Sequence, residues 1–185
     1  TFNRETGITT DVPLSNTIAI DNIATIKGNV TIQEGRLAAG SNTMNVSGNW
    51  NNSVGSIGFA EESSTVIFDG ASSSQILSDE RFYNLTLDKT YSGYNALEFG
   101  TMINVSNDLL VNDGAIEMNV PAGLDVDGNL TIMLNAGINA NDGSMQISVG
   151  KNWTNNNTYY ASNLGFDPGG SSIVEFNGTV DQSLT

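Results

Sequence analysis

The residues best suited to chemistry in this chain are acidic and aromatic, because histidine and cysteine are both absent. That absence removes disulfides, thiolate chemistry, imidazole acid-base catalysis and the usual zinc and copper sites. Asp125-Val126-Asp127-Gly128-Asn129 sets two carboxylates two residues apart before a glycine, as a calcium loop begins, so Asp125 and Asp127 are the candidate calcium ligands. The further spaced ligands and terminal Glu of an EF-hand do not follow, and the same residues also read as turn chemistry, like Asp69-Gly70, Asp113-Gly114 and Asp142-Gly143. Calcium is thus the one candidate cofactor, beside the reading that there is none. Trp153, Tyr159 and Tyr160 are the candidate stacking platform for a sugar, the two tyrosines following the polar run Asn155-Asn156-Asn157-Thr158. Trp50 and Trp153 stand where equivalent segments carry Val30, Leu109 or Leu130, which also makes them candidates for core. Paired carboxylates can hydrolyse glycosides. Glu61-Glu62 and Asp79-Glu80 read most simply as solvated corners, however, and no cluster of Asp with Arg or Lys recurs on one face. The chain is expected not to be an enzyme.

These residues belong to a pattern. An apolar residue, two turn-formers, an Asn or Asp and another apolar residue recur as Ile26-Lys27-Gly28-Asn29-Val30, Val46-Ser47-Gly48-Asn49-Trp50, Val105-Ser106-Asn107-Asp108-Leu109, Val126-Asp127-Gly128-Asn129-Leu130 and Val149-Gly150-Lys151-Asn152-Trp153. The spacings are 20, 21 and 23 residues, with one gap of 59 filled by variants around Val66 and Leu85. A fixed short period of β-type segments is the mark of a solenoid, whose turns must stack to bury their apolar sides. Anchors near 26, 46, 66, 85, 105, 126, 149 and 174 give about eight rungs of roughly 20 residues. The expected fold is all-β, a right-handed parallel β-helix over residues 23–185, with residues 1–22 as a lead-in segment, cap or partial rung. Asn29, Asn49, Asp108, Asn129 and Asn152 are expected to stack as a corner ladder. There the backbone would be left-handed and the side chains would bond along the axis.

A longer period overlies the first. Gly28-Asn29-Val30-Thr31 returns at 128, Gly48-Asn49-Trp50 at 151 and Val66-Ile67-Phe68-Asp69-Gly70 at 174, offsets of 100, 103 and 108. About one and a half copies of a roughly 100-residue unit are present, which reads as a fragment of a longer protein. Composition narrows the partners. Acidic residues outnumber basic ones 20 to 6, for a net charge of -14, and the basic residues are scattered, so nucleic acid is not an expected partner. No apolar run is long enough to span a membrane as a helix. Nine glycosylation sequons occur, at Asn29, Asn45, Asn51, Asn84, Asn104, Asn129, Asn152, Asn156 and Asn177, a number inflated by the Asn-x-Thr alternation of the strands.

The order Gly48-Asn49-Trp50, Ser64-Thr65-Val66-Ile67-Phe68-Asp69-Gly70, Gln75-Ile76-Leu77 and Phe82-Tyr83-Asn84-Leu85-Thr86-Leu87 resembles the roughly 100-residue repeats of large secreted cell-surface proteins common in the Bacteroidetes phylum. Asn152-Trp153-Thr154 to Phe176-Asn177-Gly178 and Gln182 looks like the next copy. The resemblance covers about residues 23–185. It implies a parallel β-helical region of a very long exported protein, adhesin-like or structural, that often leaves the cell by type IX secretion. It carries no catalytic residues. The expected function is therefore a stalk, rod or filament segment at the cell surface. Its partners would be neighbouring repeats of the same chain or other copies of itself. The alternatives are a carbohydrate-binding solenoid for surface glycans and a subunit of an extracellular filament.

Overall fold

Alternation of apolar and polar residues in short β-branched runs puts every second side chain on one face, and three such runs close each turn around a shared interior. The computed structural model describes residues 2–4, 7–10, 16–90, 96–119, 122–140, 143–157 and 164–185. Among these there is no helix, and every paired strand is parallel to its neighbour. The protein is a parallel β-solenoid.

With strands numbered in chain order, the first ladder stacks β1 (Phe2–Arg4), β4 (Ala24–Ile26), β7 (Thr43–Val46), β10 (Thr65–Gly70) and β13 (Asn84–Lys89), then the first halves of β16 (Leu109–Met118) and β18 (Leu130–Asn139), and β20 (Trp153–Asn155). The second stacks β2 (Gly7–Thr10), β5 (Asn29–Ile32), β8 (Trp50–Asn52), β11 (Ser74–Ile76) and β14 (Leu97–Phe99), the second halves of β16 and β18, and β21 (Gly165–Asp167). The third is broken in two. One part is β3 (Thr17–Ala19), β6 (Arg36–Ala38) and β9 (Phe59–Ala60), and the other is β12 (Glu80–Phe82), β15 (Met102–Val105), β17 (Gly123–Val126), β19 (Gln146–Val149) and β22 (Ile173–Phe176).

Registry carries like onto like. Ala24, Met44, Val66, Leu85, Leu109, Leu130 and Trp153 form one inward column of the first ladder, all of them buried. Phe82, Val105, Val126, Val149 and Phe176 form another on the third. The lead-in segment stacks in the same way, with Phe2 opposite Ala24, Ile8 opposite Val30 and Ile18 opposite Leu37.

The rung count differs from expectation for a geometric reason. The anchors Ile26, Val46, Val66 and Leu85 lie on the first ladder, whereas Val105, Val126, Val149 and Val174 lie on the third. Leu85, on β13, and Val105, on β15, belong to a single turn, so the eight anchors mark fewer than eight turns. The same shift appears in the longer repeat. From β4 to β17, β7 to β19, β8 to β20 and β10 to β22 the chain advances fourteen strand places each time, because β16 and β18 each fill two. Fourteen is not a multiple of three. Each roughly 100-residue unit is therefore one face short of five full turns, and the next copy sits on an adjacent face.

Candidate functional site

The polar groups that sequence alone singles out gather at the corners, where a strand must stop and its backbone must still bond to the turn above. The five expected corner residues form two columns rather than one. Between the first and second ladders, Asn29 Oδ1 accepts the Asn49 backbone N–H at 2.8 Å, and Asn49 Oδ1 accepts that of Gln75 at 3.0 Å. Between the third and first ladders, Asn84 Oδ1 accepts from Asp108 N at 3.3 Å and Asp108 Oδ1 from Asn129 N at 2.8 Å. Asn129 Oδ1 then accepts from Asn152 N at 3.3 Å and Asn152 Oδ1 from Ser183 N at 2.9 Å. Each side chain thus bonds the equivalent backbone amide one turn on. Asn84 and Ser183 are members that the repeat phrase did not mark.

The expected left-handed corner is not what the glycines serve. Among the described residues the only non-glycine with positive φ is Glu62, and Gly48 and Gly128 are not among the positive-φ glycines. Their role is clearance, since a Cβ on Gly48 would lie 2.6 Å from the Gly28 carbonyl oxygen and one on Gly128 would lie 2.1 Å from that of Asn107. The second column opens on an axial groove lined by Asn84, Asp108, Asn129 and Asn152 and by the outward Thr86, Thr131 and Thr154.

Three charged residues are buried among the described residues, Glu80, Lys89 and Glu117, and the first was expected at a solvated corner. Glu80 occupies the inward column otherwise filled by Ile103, Leu124, Ile147 and Val174, and it is 4% exposed rather than a solvated corner. The third ladder breaks beside it. Its Oε2 accepts from Trp50 Nε1 at 2.6 Å and Asn52 Nδ2 at 3.0 Å, and its Oε1 accepts from Arg81 N at 3.1 Å. Burial pushes the carboxyl up to about 7 against the pull of those three donors, and the charge of Glu61 adds to the rise. The Trp50 indole that donates to this carboxyl meets Phe59 and Phe82 edge-on, and those two rings are tilted against each other. Lys89 is fully buried, and its Nζ donates to the carbonyl oxygens of Ser47, Asp69 and Ser72. Burial lowers its pKa, and the Asp69 carboxylate works in the opposite direction. The ammonium ties together three corner carbonyls, of which that of Ser47 also accepts from the Ser74 hydroxyl at 3.1 Å.

The candidate calcium ligands are not brought together with others. Asp125 lies on β17 in register with Asn104 and Ser148, and Asp127 is exposed at the following corner. Burial raises the Asp125 carboxyl, as does the Asp127 charge, while Arg81 lowers it. Among the described residues no group of three or more acidic side chains is arranged to hold a metal. Trp153 faces inward at 3% exposure, against Phe166 and Phe176. Tyr159 and Tyr160 lie outside the described residues.

Comparison of the chain with protein-family models, with curated proteins and with solved structures finds no match.

Two outcomes follow from the polar groups. Asn129→Ala removes the acceptor for Asn152 and the donor to Asp108, and is expected to destabilise the fold by about 1–2 kcal/mol in denaturant melts. Asn129→Asp keeps the acceptor for Asn152 but sets a second carboxylate against that of Asp108, where the amide donated at 2.9 Å, and should be at least as destabilising at neutral pH. For Glu80, the folded state holds its proton up to about pH 7, whereas the unfolded chain releases it near the ordinary 4.5. Stability should therefore fall by about 3 kcal/mol between those pH values and level off above them. Glu80→Gln should flatten that part of the pH profile, and an unchanged profile would remove the buried-acid assignment.

Proposed function

We propose that this chain is a structural or adhesive segment of an extracellular repeat protein, a rod at the cell surface. The observation that carries this reading is the axial column from Asn84 to Ser183, in which every turn is tied to the next by both its strands and its corner side chains. Such bonding lies along the direction in which a stalk bears load. The inward columns are apolar over most of their length, so cohesion rests on stacking rather than on a bound group. In this reading the chain works without a catalytic centre or resident cofactor, and its partners are further repeats or other copies of itself. No helix among the described residues is long and apolar enough to cross a membrane. If the rod also adheres, the Asn and Thr groove is the surface it offers to a glycan.

The test is axial growth. One further in-frame copy of the roughly 100-residue unit adds fourteen strand places, which at ~4.8 Å per three-strand turn lengthens the particle by about 22 Å. Small-angle scattering should show that increment at constant cross-section. A thicker particle, or two separately tumbling bodies, would contradict the rod.

A further inference from the structure

Where the third ladder breaks, the turn made of β7, β8 and β9 meets the turn made of β10, β11 and β12 with its three faces held unequally. The first face is intact, since β7 pairs with β10 at four positions and β10 with β13 at six. On the second face β8 and β11 pair only at Trp50 and Ile76, whereas β5 with β8 and β11 with β14 each pair at three positions. On the third face β9 and β12 do not pair, β9 bonding back to β6 and β12 onward to β15. The chain leaves β8 through residues 53–58, which turn at Gly55 with a φ of 81°, and returns for only the two residues of β9.

Side chains do at this seam what the backbone does elsewhere. The Glu80 carboxyl on β12 accepts from Trp50 Nε1 and Asn52 Nδ2 on β8, and the Ser78 hydroxyl accepts from Asn52 N at 2.8 Å. The Phe82 ring lies 5.3 Å from Trp50 and 6.0 Å from Phe59 across the same gap. Closure is imperfect, because Ser64, at the corner after β9, is fully buried with its hydroxyl unpaired. No cation answers the carboxyl. The strands β8, β9, β11 and β15 carry no charged residue, and Asp69, Asp88 and Lys89 lie at the far ends of β10 and β13, where Lys89 is bonded to carbonyl oxygens. Arg81 gives Glu80 its backbone N–H and turns its guanidinium to the Ser106 hydroxyl, while Asp79 accepts from Met102 N and Glu61 adds a like charge. An ionised Glu80 is therefore relieved only by water, and water enters only if the seam parts.

We propose that this seam is a hinge, closed by the neutral Glu80 carboxyl and released by its ionisation, at which β8 and β9 part from β11 and β12 while the first ladder keeps the two halves of the stack joined. The closed form holds the Glu80 proton up to about pH 7 and the open, hydrated form releases it near the ordinary 4.5. Opening thus becomes easier as pH rises between those values and no easier above them. This inference stands on the fold and not on the rod reading. It also differs from the pH dependence of overall stability, because it names the place where the folded molecule yields first.

The test is residue-resolved hydrogen exchange of the intact chain, corrected for intrinsic rates. The amides of Asn52 and Leu77 cross the seam, to the Ser78 hydroxyl and the Trp50 carbonyl. They should exchange sooner than the ladder amides of β10, by an opening that low urea leaves unchanged, and about 70-fold faster at pH 8 than at pH 5. The β10 amides should exchange only through urea-dependent global unfolding. Glu80→Gln keeps an acceptor for Trp50 and should make seam exchange independent of pH. Glu80→Leu, which matches Leu124 in the same inward column, should do the same and serves if the first variant does not fold. Exchange of the seam only in step with β10 would mean one cooperative unit and would overturn the hinge. So would seam exchange that is equal at the two pH values, or a pH dependence that survives both substitutions.

Discussion

Each turn of a parallel stack must break its strand at every corner and yet keep its backbone amides paired, and the side-chain oxygens of Asn84, Asp108, Asn129 and Asn152 meet both demands. A buried or half-buried amide without a partner costs free energy comparable to a lost hydrogen bond, so a corner that bends away from the ladder must find its acceptor elsewhere. Here the acceptor is the equivalent side chain of the turn before. That arrangement fixes axial registry, and registry in turn lets Val66 sit over Met44 and Val126 over Val105 without a slip that would turn the apolar face outward. The close backbone approach at Gly48 and Gly128 follows from the same constraint, because stacked corners leave no room for a Cβ.

The class of fold was legible because the period, the alternation and the Asn-bearing corners are all properties of local sequence. The number of turns was not. Ile26 and Val46 precede one kind of corner, and Val105, Val126 and Val149 precede another, but both corners impose the same chemistry and so carry the same phrase. Counting phrases counts corners. Glu80 and Lys89 were hidden for a different reason. Each is a polar residue whose partners lie about 17 to 42 positions away in sequence, at Trp50 and Asn52 for one and at Ser47, Asp69 and Ser72 for the other, and only stacking brings those partners near. Trp50 and Trp153 could be read as core because the residues at equivalent places, Val30 and Leu130, are aliphatic, and both indoles are indeed buried.

The mismatch between a fourteen-place unit and a three-place turn has a physical consequence for any longer array. A feature carried once per unit is displaced by one face at each repetition and returns to its original face after three units. Partners along such a rod would meet the feature in a winding line rather than in a single stripe. The interior is freer of this constraint, because each inward column tolerates aliphatic and aromatic residues alike, as Leu130 beneath Trp153 illustrates.

The central claim is axial registry, and the absence of cysteine allows it to be measured cleanly. Thr25, Asn45, Ile67, Thr86, Leu110, Thr131 and Thr154 occupy one outward row of the first ladder. Spin labels at Thr25→Cys paired with Thr86→Cys, Thr131→Cys or Thr154→Cys span three, five and six steps of that row. Pulsed dipolar spectroscopy should give backbone separations of about 14, 24 and 29 Å, rising linearly at ~4.8 Å per step. Distances that fail to rise in that proportion, or broad distributions at every pair, would contradict the stacked registry on which the rest of the structure depends.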